Sequence, residues 1–108
     1  MPRSAKRKPR AFSKLASAVK FLAKSISTKD YEALALACRE KLPQEWVLER
    51  LEQKHEATPL PDLYARWEFP TDSREFKLGG HAKELGHIHI DFVKSKVGWE
   101  IERIWMCR

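Results

Sequence analysis

The sequence predicts an α+β protein in which N-terminal helices pack on a curved antiparallel sheet of three to four strands. Three observations carry that expectation. Apolar residues recur at steps of three and four from Phe12 into the region of Glu56, the period of amphipathic helices. Leu63 to Phe69 then alternates with a period of two. Finally, Gly86 to Arg108 places two runs rich in Ile, Val, Phe and Trp around a polar break at Lys94 to Gly98, which is the pattern of a β-hairpin. Helices grouped before strands give an α+β arrangement, not an alternating α/β one.

Taken in order, residues 1–10, MPRSAKRKPR, hold five basic residues and two prolines and almost nothing to bury, so a disordered basic arm is expected ahead of a single domain over residues 11–108. From there Phe12, Leu15, Val19, Leu22 and Ile26 mark one face of a helix, with Lys14, Lys20 and Lys24 elsewhere. The same acid-poor segment has the character of a targeting peptide or a membrane-surface helix, although it runs on into further helix without a linker, which favours a core role. Ser27 and Asp30, three residues apart, suit the start of a second helix near Thr28 with Tyr31, Leu34, Ala35, Cys38 and Leu42 along its apolar side.

Pro43 fits the first turn of a third helix reaching about Glu56, with Trp46 expected against the sheet. Pro59 and Pro61 are expected to form a turn that ends it. Leu63 to Phe69 then reads as a half-buried strand, and Glu75 to Leu78 as another before Gly79-Gly80. In the hairpin, Ile88, Ile90 and Phe92 share one face, with His87, His89 and Asp91 on the other. In its second run Trp99, Ile101, Trp105 and Cys107 fall on one face, and Ile104 and Met106 on the opposite one.

Charge is unevenly distributed. Of 21 Lys and Arg residues, nine lie in residues 1–29, which contain no acid; the remainder carries twelve basic against fifteen acidic groups. The net charge of +6 thus describes a basic arm on a mildly acidic body. Arg3, Lys6, Arg7, Lys8 and Arg10 are candidates for weak, sequence-independent contact with nucleic acid phosphates. No run of about 18 apolar residues offers a membrane span. Two cysteines give no disulfide framework or metal spacing, and a cytoplasmic location is expected.

At two places the chain resembles the nuclear transport factor two-like superfamily, with its cystatin-like α+β fold. FLAKSISTKDYEALALAC, from Phe21 to Cys38, resembles that family's first helix, a short break, and a second helix opening with Asp-Tyr. HIHIDFVKSKVGWEIERIW, from His87 to Trp105, resembles its closing hairpin. The resemblance implies a sheet covered by helices, with roles ranging over small-molecule enzymes, transport adaptors and association domains. Where the family inserts a pair of strands between its second and third helices, this chain has only Glu40 to Pro43, which implies a shallow or open ligand cone.

Candidate sites follow from residue type. His87, His89 and Asp91 share a strand face at a spacing that suits a metal or acid–base work, with His81 as a further ligand across the turn. No Ser or Cys is placed beside them for nucleophilic catalysis, no cofactor is called for, and an enzyme is the less favoured reading. Trp67, Phe69 and Phe92 join the aromatic set of the strands. Trp99, Ile101 and Trp105 are the candidates for a partner-binding face, in a homodimer or with another protein. The leading expectation is therefore a non-enzymatic association or ligand-binding domain; the rival is a small pocket enzyme or metal-binding protein using His87, His89 and Asp91.

Overall fold

In the computed structural model the residues described are 10–66, 74–79 and 83–107. Four helices, α1 (Leu15–Ser27), α2 (Tyr31–Ala37), α3 (Glu45–Ala57) and α4 (Leu60–Ala65), precede three strands, β1 (Glu75–Gly79), β2 (Ile88–Ser95) and β3 (Gly98–Met106). The strands form one antiparallel sheet in the order β1-β2-β3, which is not closed. This is the α+β arrangement, helices before sheet, that the sequence predicts.

The core follows from the two periodicities. Leu15, Val19, Leu22 and Ile26 of α1 are buried together with Phe12, which precedes the helix. They meet the inward face of the sheet, built from Phe76, Leu78, Ile88, Ile90, Phe92, Trp99, Ile101 and Ile104. Fully burying each such side chain stabilises the fold by about 1.5–3 kcal/mol before the entropy of ordering it is counted.

Several boundaries differ from the sequence expectation, each for a local reason. The second helix begins at Tyr31, because Asp30, not Ser27, is its cap: the Asp30 carboxylate accepts from the Ala33 N–H at 3.2 Å. Lys29 turns the corner with a φ of 58°. The helix also ends early, at Ala37, since Cys38 turns extended and pairs in parallel with Ile101. Ala37 is then buried and Ala35 exposed.

The two prolines after α3 start a helix instead of a turn and strand. Pro59 caps α4 and Pro61 sits in its first turn, where a missing N–H costs nothing. The Leu60 N–H is satisfied by His55 Nδ1 at 2.9 Å. Leu60 and Leu63, three residues apart, are both buried, so the apolar positions serve a helical period. The rest of the expected strand, with Trp67 and Phe69, lies outside the described residues, as do His81 and residues 1–9 of the basic arm. Trp46, expected against the sheet, is half exposed on the outside of α3.

Candidate functional site

A β-bulge decides which side chains the hairpin presents. From the turn, Ser95 pairs with Gly98, Lys94 with Trp99, and Phe92 with Ile101. The register then shifts, so that Asp91 faces Arg103 and Glu102 is the extra residue. One extra residue in a period of two reverses every face beyond it. Ile104 and Met106 therefore join Ile101 on the core side, while Arg103 and Trp105 come to lie beside Asp91 and His89.

This corrects the expectation that Trp99, Ile101 and Trp105 share a surface. Trp99 (6% exposed) and Ile101 (0%) belong to the core, and only Trp105 of the three is at the surface.

On the outward face Asp91 is buried under its neighbours. Its Oδ2 accepts from Arg103 Nε at 2.7 Å and from Trp105 Nε1 at 3.0 Å, and Lys77 Nζ stands 3.9 Å away. The hydrogen bond to Asp91 raises the Arg103 pKa above its ordinary value. Trp105 also stacks on the His89 imidazole. Asp91 is thus bound into a charge-and-ring cluster; among the described residues no group of three or more His, Cys, Asp or Glu side chains could hold a metal.

A concavity lies at the edge of β3. A cleft of about 810 Å³ runs between the segment leading into α3 (Glu40, Lys41, Pro43, Gln44, Trp46, Val47) and the end of the sheet (His87 and Arg103 to Cys107). It exists because the described residues cover the outer edge of β3 along only half its length. Phe12 and Trp99 exchange backbone hydrogen bonds of 2.7 and 2.6 Å, and the N–H groups of Arg39 and Glu40 donate to Ile101 and Glu102, each at 2.9 Å. At Lys41 the chain leaves the sheet for α3. Beyond Glu102 no backbone group of the described residues bonds to this edge.

Of the described members of the predicted histidine group, His87 lines the cleft, and His89 and Asp91 do not. A partner for His87 that sequence reasoning excluded is supplied by strand pairing. The Cys107 N–H donates to the His87 carbonyl at 3.0 Å, and Cys107 Sγ lies 3.6 Å from His87 Nδ1. A thiol and an imidazole therefore meet in the cleft. No sequence signal links them, because without the bulge His87 would face Met106. Cys38, the other thiol, is buried against the Glu102 carbonyl, and burial pushes its pKa up to about 11.

Of the arm, Arg10 is described: its guanidinium covers the rings of Phe12 and Phe21 at 4.8 and 5.0 Å, which holds it to the fold. Arg3, Lys6, Arg7 and Lys8 lie outside the described residues. No helix among those described is long and apolar enough to cross a membrane. Comparisons with protein-family models, with curated proteins and with solved structures give no match.

Proposed function

We propose that this chain is a small non-enzymatic association domain whose working surface is the cleft between α3 and the end of β3. The observation that carries the reading is the half-covered edge: an apolar wall made by Trp46, Val47 and Met106 stands beside the part of β3 beyond Glu102 whose outer edge no backbone group of the described residues covers. Trp46 is a large apolar side chain left half in solvent, and exposed aromatics beside a groove are the usual anchors of protein contacts. In this reading Trp105 keeps the contact role expected of it, while Trp99 and Ile101 support the sheet from within. The resemblance to the nuclear transport factor two-like superfamily accords with association, one of that family's roles, and the basic arm adds weak nonspecific attraction to nucleic acid.

The test is site-specific photo-crosslinking in cells that make the protein. A benzophenone amino acid at position 46 or 105 should yield a discrete protein adduct, while the same group at Val97, exposed on the hairpin turn, should not. Equal labelling at all three positions, or none at 46 and 105, would remove the cleft as an association surface.

The Cys107–His87 pair supports a second reading, a pocket that binds a small molecule next to a thiol. It differs from the rival expected from His87, His89 and Asp91 in using only the first of them. Co-purification of a small molecule, released when Cys107 is alkylated, would favour it over association.

A further inference from the structure

The edge of β3 specifies what kind of partner the cleft accepts. Because the Cys107 N–H points to His87 on β2, residues 107, 105 and 103 turn their backbone groups inward along the ladder. Ile104 and Met106 then turn theirs outward, toward the cleft that both residues line. Two N–H and two C=O groups thus stand at strand spacing with no hydrogen-bond partner from the described residues. Water can meet such groups one at a time, whereas another extended backbone meets both pairs together and in register.

The chain itself uses this edge in the same way immediately upstream. Phe12 adds to it antiparallel at Trp99, and Cys38 to Glu40 adds to it in parallel at Ile101 and Glu102, before the segment breaks off at Lys41. The track those residues occupy continues straight into the cleft.

We propose that the open half of this edge is a strand-addition site: an extended segment of another polypeptide lies along Ile104 to Met106 as a fourth strand. Every second side chain of the added segment rests on the apolar wall of Trp46 and Val47. The inference rests on the association reading and names its chemistry: main-chain hydrogen bonds supply the affinity, and selectivity extends only to an apolar residue at alternate positions.

The probe is a short capped peptide alternating valine and threonine, added to the full-length protein and followed by amide hydrogen exchange. Binding should slow exchange at Ile104 and Met106 by about tenfold or more, the worth of one backbone hydrogen bond. The same peptide N-methylated at its bonding positions keeps its side chains and should not protect these amides. Met106→Pro removes one outward donor at an edge position that tolerates proline, and should weaken binding about tenfold, while Met106→Leu should not.

Equal binding of the N-methylated peptide overturns strand addition yet leaves the cleft an association surface. Protection of these amides that rises with protein concentration alone also overturns it, since a second copy of the chain would then be the occupant. Binding of neither peptide, with no adduct at positions 46 and 105, removes both the inference and the reading beneath it.

Discussion

The indole of Trp105 stacks on the imidazole of His89 with ring centroids 4.0 Å apart and planes 13° from parallel. The same indole donates to Asp91, so one aromatic side chain joins both strands of the hairpin and roofs a buried carboxylate. That contact exists only because Glu102 bulges out of β3. Were the same sequence paired without a bulge, Trp105 would face the core and Ile104 would face solvent.

Asp91 is 1% exposed and depends on its donors. Arg103→Ala should lower stability measurably, because the buried carboxylate loses its closest cation. Trp105→Phe keeps the stacking and loses one N–H, so a loss of about 1 kcal/mol is expected. Urea unfolding monitored by circular dichroism measures both, and losses under about 0.5 kcal/mol would show that the cluster contributes nothing.

Neither Glu102→Ala nor deletion of Glu102 should change the faces of β3, since Glu102 is the one residue that its register with β2 leaves unpaired. The substitution keeps the bulge and its carbonyl, which accepts from Glu40, and should cost under about 1 kcal/mol. The deletion turns the bulge into a regular ladder, with Ile101 and Ile104 still on the core side and Arg103 and Trp105 still on the outer one, and it loses the carbonyl that accepts from Glu40, so a loss of about 1–2 kcal/mol with cooperative unfolding retained is expected. Loss of cooperative thermal unfolding in the deletion variant would refute the register.

Gly98 has a φ of 138°, and a Cβ there would stand 2.4 Å from the Phe12 carbonyl oxygen. Gly98→Ala should therefore cost about 2 kcal/mol or more, both from backbone strain and from parting the Phe12–Trp99 bridge. Heteronuclear NMR of the Phe12 amide reports the second effect separately.

The two thiols should behave differently. Cys107 borders the cleft and should be alkylated by iodoacetamide in the native protein at pH 8, whereas Cys38 should react only after unfolding. Cys38 has a folded pKa near 11 against an ordinary value of 9.0, so its protonated form is favoured by folding. The associated stability is complete below pH 9 and is lost as the pH rises through 11, by about 2–3 kcal/mol in all. Cys38→Ala should flatten the alkaline limb of a stability–pH curve by that amount. An unchanged limb would contradict the burial of the thiol.

Nucleic acid contact by the arm is tested by salt dependence. Each phosphate neutralised should contribute about 0.7 to the log–log slope on single strands. Removing residues 1–9 should flatten the slope measured with an oligonucleotide, and an identical slope would dissociate the basic arm from any such contact.

Much of the architecture was legible in the amino-acid order. The stripe from Phe12 to Ile26, the hairpin around Lys94 to Gly98, and the succession of helices and strands are local periodicities, and a buried face forces them to be regular. The sequence alone therefore determined the α+β class, the core face of α1, and Ile88, Ile90 and Phe92 as the inward side of β2. Local alternatives of nearly equal merit were not decidable in the same way. Alternation over Leu63 to Phe69 suits a strand until Leu60 and Leu63 are both found against the core, and a proline pair reads as a stop until a histidine caps the start of a helix.

Only the tertiary structure decided the candidate site. The bulge at Glu102 has no sequence signature, yet it moves Trp105 out of the core side and sets Cys107 beside His87. The cleft itself arises from where Lys41 leaves the edge of β3 and where α3 packs, a relation between segments far apart in the chain. Periodicity is a property of neighbours in sequence, whereas register and edge coverage are set by competition among distant segments for the same hydrogen bonds, and folding alone resolves that competition.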